Sequence, residues 1–152
     1  MIYTLENLND FKQLLKKNTA IIAIDYGDKY LGIAKTDRNL IISIPVDVVN
    51  NKGAQSIKDI FDQIGPSAFI LGLPLQMDGT EGENCVKVRN FANKMISEFN
   101  LPIYLQDERL TTKAAQHFLN ESTLKREQKN FLDNKLAASL ILESFLRVAN
   151  FI

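Results

Sequence analysis

Three acidic side chains stand where a chain seldom puts a charge without a use for it. Asp25 ends the apolar run Ile21, Ile22, Ala23, Ile24. Glu108, preceded by Asp107, ends a second mostly apolar run over 103–106, and Asp133 opens the last apolar-periodic segment. Each has an ordinary explanation when taken singly. Asp25, Tyr26 and Gly27 make a turn, Asp107 and Glu108 a solvated strand end, and an Asp in the first turn of a helix favours its dipole. Together they mean more, because carboxylates brought from separate segments to one place repel each other unless divalent cations neutralise them. Hard oxygen ligands without thiolate or imidazole select Mg²⁺ or Mn²⁺. Two such ions about 4 Å apart activate a water and stabilise the leaving oxygen in phosphodiester hydrolysis. That chemistry needs no side-chain general base, which suits a chain with one histidine, His117, and one cysteine, Cys85.

The elements that must position these acids are readable from periodicity. Leu5, Leu8, Phe11, Leu14 and Leu15 have helical spacing and predict a short amphipathic helix over 5–17. Strands are expected over 20–25, 31–36 and 40–49, the last interrupted by Pro45, and their short separations favour an antiparallel meander. Ile57, Ile60, Phe61 and Ile64 mark a helix stopped at Gly65 and Pro66. Residues 68–73 form an apolar strand of the kind covered on both faces. A loop over 74–83 leads to a helix carrying Cys85, Val88, Phe91, Ala92, Met95 and Phe99. A strand over 103–106 follows, then a helix capped by Thr111 or Thr112. A polar stretch over 120–130 precedes a final helix from about residue 132. The order β-β-β-α-β-α-β-α after an extra helix gives an α/β fold. Its expected form is a mixed five-stranded sheet, a three-strand antiparallel meander plus parallel strands, with helices on both faces. That arrangement is ribonuclease H-like, among other possibilities. Residues 1–19 are expected as an N-terminal helical extension and 20–152 as a single domain.

The totals exclude several alternatives. The chain has 152 residues, enough for one domain with a real core. Lys plus Arg and Asp plus Glu are 18 each, so no net charge draws the whole molecule toward nucleic acid, although a local basic face is still open. A single cysteine forbids an intramolecular disulfide and the usual thiolate zinc sites. No run approaches membrane-spanning length and the acidic first residues do not read as a signal peptide, so a cytoplasmic location is expected.

Four segments, in order, resemble the signature blocks of the YqgF/RuvX family. They are Asp25, Tyr26 and Gly27 with Gly32, Ile33 and Ala34; GLPLQMDGT at 72–80; DERLTT at 107–112; and Asp133 with Ala137 and Ala138. They cover roughly residues 20–147, and four blocks in order are far more specific than one. The resemblance implies a ribonuclease H-like nuclease assigned to maturing the 5′ end of the 16S ribosomal RNA precursor. An earlier description of the family is a Holliday-junction resolvase acting on branched DNA. The resemblance also implies that Asp25, Glu108 and Asp133 are the catalytic, metal-holding acids. A homodimer is implied only by analogy with resolvases. The chain departs from the family in carrying some twenty residues before the first signature strand. It also has Lys29 followed by Tyr30 where two basic residues are common, and Tyr30 offers a stacking surface instead.

Lys29, Arg109 and Lys129 are the expected substrate contacts. The Arg109 fork suits a scissile phosphate but equally suits a neighbouring acid. Lys113, Lys125, Arg126, Lys129 and Lys135 bias the approach to Asp133 toward positive charge, consistent with phosphate positioning. A solvated loop over 125–130 reads the same way. The amides after Gly72 either approach a phosphate or make a tight turn, and Asp78, Gly79 and Thr80 read as a turn plus helix cap. Cys85 and His117 read as structural. Two rivals stand beside the nuclease. One is a sugar-kinase or actin-like nucleotide-binding module, which needs two lobes and so a longer chain. The other is a non-catalytic RNA-binding or assembly protein that keeps the fold.

Overall fold

A computed structural model of the chain describes residues 1–109 and 126–152, with side chains from residue 134 onward in the second segment. Among the described residues the strands are β1 (Ile2–Tyr3), β2 (Ile22–Tyr26), β3 (Tyr30–Thr36), β4 (Ser43–Asn50), β5 (Phe69–Leu73) and β6 (Ile103–Asp107). The helices are α1 (Leu8–Gln13), α2 (Lys58–Ile64), α3 (Glu83–Phe99) and α4 (Arg126–Val148). The strands form one sheet in the order β1-β6-β5-β2-β3-β4. β2, β3 and β4 pair as the expected antiparallel meander, while β5 runs parallel to both β2 and β6.

Strand alternation sorts the apolar side chains into two layers. Ile22, Ile24, Leu31, Ile33, Phe69, Leu71, Ile103 and Leu105 face α2 and α3, where they meet Ile60, Val88, Phe91 and Met95. Ile21, Ala23, Ala34, Ile70 and Tyr104 face α1 and α4, where they meet Phe11, Ile141, Leu142 and Phe145. Cys85 sits in the first layer with no exposure, and its burial pushes the thiol up, so it is a core side chain as expected.

The structure corrects the sequence reading in several places. The sheet has a sixth strand: β1 pairs in parallel with β6, Ile2 opposite Ile103 and Tyr3 opposite Tyr104. Two residues are too few to show any period, so no pattern could announce it. The first helix is shorter than its apolar spacing suggests, spanning Leu8–Gln13 after a single 3-10 turn over Leu5–Asn7. Pro45 does not interrupt β4. The register slips between Ile33 and Ala34, whose partners are Asp47 and Pro45, so the bulge absorbs the proline on an edge strand. The last helix is already formed at Arg126, the first described residue of its segment, rather than from near 132. Its opening residues, Arg126, Glu127, Gln128, Lys129 and Asn130, lack apolar periodicity and so resembled a loop. They are mostly strong helix formers with no Gly or Pro among them. Lys129 is therefore on a helix, not in a loop. The helix expected after Thr111 or Thr112, together with His117, Lys113 and Lys125, lies outside the described residues.

The first nineteen residues share the core of the rest. Phe11 is fully buried and touches Tyr3, Tyr104 and Phe145 at ring separations of 5.6, 5.4 and 5.7 Å. Lys12 donates from Nζ to the Ala149 carbonyl at 2.5 Å and lies over the Phe151 ring, which ties the start of the chain to its end. Phe11→Ala is expected to destabilise the protein by about 3–5 kcal/mol, the usual range for emptying a buried phenylalanine site. Urea unfolding that showed no loss would mean that this helix is only an appendage.

Gly32 has a second kind of packing constraint. A Cβ built there would run into the Asn134 backbone, meeting its carbonyl carbon at 2.7 Å and its carbonyl oxygen more closely still. The α4 backbone therefore rests directly on β3 at the residue that follows Asp133. Gly32→Ala should cost about 1–3 kcal/mol through overpacking. An unchanged stability in Gly32→Ala, measured by urea unfolding, would refute the close approach.

Candidate active site

Asp25 is the penultimate residue of β2, and its burial is intermediate after three fully enclosed residues. Alternation puts it on the face that carries Ile21 and Ala23, the face covered by α4. Its partner across the antiparallel ladder is Gly32, the residue on which the Asn134 backbone rests. On the other side of β2, Ile24 pairs with Leu71, so the next residue of β5, Gly72, flanks Asp25. Asp25 thus stands between two strand positions that have no side chain. The turn beyond it is tight. A Cβ on Gly27 would lie 2.7 Å from the Tyr30 carbonyl oxygen, and Asn51 pins the turn by donating from Nδ2 to the Gly27 carbonyl at 2.8 Å.

Glu108 arrives from the far side of β5. Leu73 pairs with Asp107, and the Glu108 amide continues the ladder to the Leu73 carbonyl at 3.3 Å. Its carboxyl fills the space that a Gly72 side chain would take, since a Cβ there would collide with Glu108 Oε2 and with Ile141 Cδ1. Glu108 is only 9% exposed, and its Oε2 has no hydrogen-bond partner among the described residues. Burial, aided by the neighbouring Asp107 charge, pushes its carboxyl up to about 7. The structure therefore brings Asp25 and Glu108 to the same face of the sheet, on either side of Gly72. Asp133 lies on α4, whose backbone one residue on touches the strand position opposite Asp25; its side chain, like that of Lys129, is outside the described residues. Among the described residues no group of three acidic, histidine or cysteine side chains is placed to hold a metal.

Arg109 turns back on its own strand. Its Nε donates to both Asp107 carboxyl oxygens, at 2.9 and 3.2 Å, and its Nη2 lies 2.8 Å from Oδ2. Its Nη1 reaches the Met77 carbonyl at 3.4 Å, which ties the loop over 74–82 to the end of β6. Partial burial alone would raise Asp107, but the bonds from Arg109 outweigh it and hold the carboxyl below its ordinary range. Of the two readings open for Arg109, the structure displays the pair with a neighbouring acid. Lys29 is exposed in the β2–β3 turn. Asp78, Gly79 and Thr80 form a turn, with Thr80 Oγ1 donating to Asp78 Oδ1 at 2.6 Å, but they do not cap α3, which begins after Gly82.

A cleft of roughly 220 Å³ opens beside Glu108 at the carboxyl ends of β2 and β5. Asn84 and Lys87 of α3 line it, with Tyr26 and Asp28 opposite. Sequence reasoning passed over Asn84, Lys87 and Asn51. Asn84 and Lys87 are ordinary polar residues on the solvent side of an amphipathic helix, and only the tertiary fold sets them next to an acid from another strand.

The fold is that of ribonuclease H-like resolvases. Thermus thermophilus RuvC in complex with a Holliday junction substrate superposes with a TM-score of 0.51 at 13% identity, over 85% of this chain and 95% of that one. The yeast mitochondrial Holliday junction resolvase Ydc2 gives 0.50 at 12% identity, over 97% of this chain and 85% of that one. Residues 19–148 match the RuvX family, described as Holliday junction resolvase. A protein of Rickettsia bellii (strain OSU 85-389) named "Putative pre-16S rRNA nuclease" is 39% identical over 150 residues, 96% of this chain and 97% of the relative. One of Rickettsia canadensis (strain McKiel) with the same name is 42% identical over 146 residues, 93% of this chain and 95% of the relative. The chain belongs to the RuvX family, a family of nucleases.

The Glu108 shift has a measurable sign. A carboxyl raised in the folded state keeps its proton there after the unfolded chain has lost its own. Its contribution is therefore fully present below about pH 4.5 and is lost as pH rises toward 7. Over that window the difference amounts to about 3 kcal/mol. Glu108→Gln is expected to be more stable than the native protein at pH 8, with the gap closing near pH 4.5. Parallel denaturation curves at the two pH values check this, and a gap that widens toward acid would contradict it.

Proposed function

We propose that this chain is a metal-dependent nuclease that matures the 5′ end of precursor 16S rRNA in the cytoplasm. The observation that carries the reading is the convergence at Gly72. Two acids from strands separated by β5 meet on one face, and α4, which bears Asp133, is pressed against the position opposite Asp25. The donor set fits a hard divalent cation. It is all oxygen, and the buried, unpartnered Glu108 Oε2 gains most from a positive charge. Mg²⁺ or Mn²⁺ held by Asp25, Glu108 and Asp133 would supply water activation and neutralise charge on the leaving oxygen.

The chain's own residues supply position. The β2 ladder and the packed Ile22 and Ile24 fix Asp25, while Gly72 gives the Glu108 carboxyl its place. Lys29, Arg109 and Lys129 are the proposed phosphate contacts. For Arg109 this means exchanging the Asp107 carboxylate for a phosphate, the same planar recognition turned to a new acceptor. The family description supports a second reading, cleavage of branched DNA. That reading brings a homodimer with it, since a junction presents two strands to cut. Among the described residues no helix is long and apolar enough to cross a membrane.

Cleavage of a precursor-rRNA leader and of a four-way DNA junction, each with Mg²⁺, Mn²⁺ or chelator, separates the readings. The leader is expected to be cut with metal and spared with chelator. Asp25→Asn and Glu108→Gln should each lower the rate by about a hundredfold or more, the scale of losing a major charge-stabilising group. Native rates in either variant would place the site elsewhere. Millimolar Mg²⁺ or Mn²⁺ should also raise the melting temperature of the native protein at pH 8, and raise it less in Glu108→Gln.

A further inference from the structure

The cleft beside Glu108 has the make-up of a binding site for part of a nucleotide. Its apolar wall is Tyr26, Pro74 and Val88. Val88 is 2% exposed, and the Tyr26 ring is held against Phe91 with centroids 5.1 Å apart, so this wall is rigid. Its polar rim is Asn84 and Lys87, both exposed and three residues apart on α3, which places them on one side of the helix. Asp28 steadies the Lys87 ammonium at 3.2 Å across the mouth. Both partners are solvent-exposed, and such pairs are weak, so an incoming phosphate can take the ammonium over at little loss.

Size restricts what enters. The volume is about 220 Å³, below the range of roughly 300–1,000 Å³ usual for drug-sized ligands. One sugar or one base fits, and a base pair does not. Glu108 also lines the cleft, so an occupant lies at the strand end that carries this acid.

We propose that this cleft receives one unpaired nucleotide adjoining the scissile phosphate, ring against Tyr26, Pro74 and Val88, neighbouring phosphate on Lys87. The substrate is then a strand unpaired at its cleavage point, not continuous duplex. This inference rests on the nuclease reading through the shared Glu108, but its binding arm stands apart from catalysis.

The test uses the full chain and a short fluorescent RNA, alone or annealed to its complement. Binding is followed by anisotropy in chelator and cleavage with Mg²⁺ or Mn²⁺. Unpaired RNA should bind and be cut in preference to the duplex. Asn84→Trp, which fills the mouth, should weaken both by about tenfold or more, the scale of losing one nucleotide's stacking contacts. Lys87→Ala should lower the slope of log affinity against log salt by roughly 0.7, the loss of one phosphate contact on a single strand. Both positions are exposed, and melting curves confirm folding; should Asn84→Trp not fold, Lys87→Ala decides by its slope. Native binding and salt dependence in the variants, equal cutting of duplex, or no binding of unpaired RNA overturns the proposal. Variant-sensitive binding with no cleavage under either metal would leave the cleft standing and remove the nuclease reading.

Discussion

The Glu108 carboxyl lies over Gly72, nine-tenths buried, with one oxygen unpartnered. Nothing else in the described site is so poorly matched to its surroundings. A buried acid of this kind has two ways to lower its energy: it keeps its proton, or it acquires a cation. The shift toward 7 corresponds to the first way. The second is the proposed working state. On that proposal the site is poised between protonated and metal-bound forms, and the rest of the fold has to hold it there against its own preference to relax.

That demand explains the glycines. Asp25 is flanked by Gly32 on β3 and Gly72 on β5, and each is filled by something other than a side chain of its own. The α4 backbone takes the first space and the Glu108 carboxyl takes the second. Glycine weakens a strand, since it has no side chain to pack and more freedom to lose. The neighbouring positions offset this. Ile21, Ile22, Ala23, Ile24, Ile33, Ala34, Ile70 and Leu71 are all fully buried. Two apolar layers close on a sheet whose polar row cannot hold itself, and Phe11, from the first helix, completes the layer beneath α4.

Much of this was legible in the sequence. The meander, the apolar β5 and the acids at strand ends follow from period and composition, because each signal sits within a few residues. What stayed hidden is long-range. Gly32 carries no local sign that a helix backbone from the other end of the chain rests on it. β1 is two residues long and exists because β6 offers it an edge. Residues 126–130 of α4 have strong helix formers but no apolar stripe, so periodicity alone does not mark them as helix. Asn51, which pins the turn after Asp25, reads in sequence as an ordinary loop residue.

The dipeptide Asp107-Glu108 shows how the pleat assigns roles that composition cannot. Successive side chains on a strand face opposite ways. Asp107 pairs with Leu73, whose side chain belongs to the α2–α3 layer, and there Arg109 grips it with a planar fork. Glu108 turns to the other face, into the space over Gly72, where no cation among the described residues meets its Oε2. One acid is held below its usual range and the other is pushed well above it. The coupling runs one way in effect, because the fixed charge on Asp107 helps keep the proton on Glu108. A slip of one residue in the β5–β6 register would exchange the two faces, leaving the Arg-paired carboxylate over Gly72 and Glu108 on the side of the α2–α3 layer. The ladder from Phe69–Ile103 to Leu73–Asp107 is therefore as much a part of the candidate site as the carboxyl groups it aims.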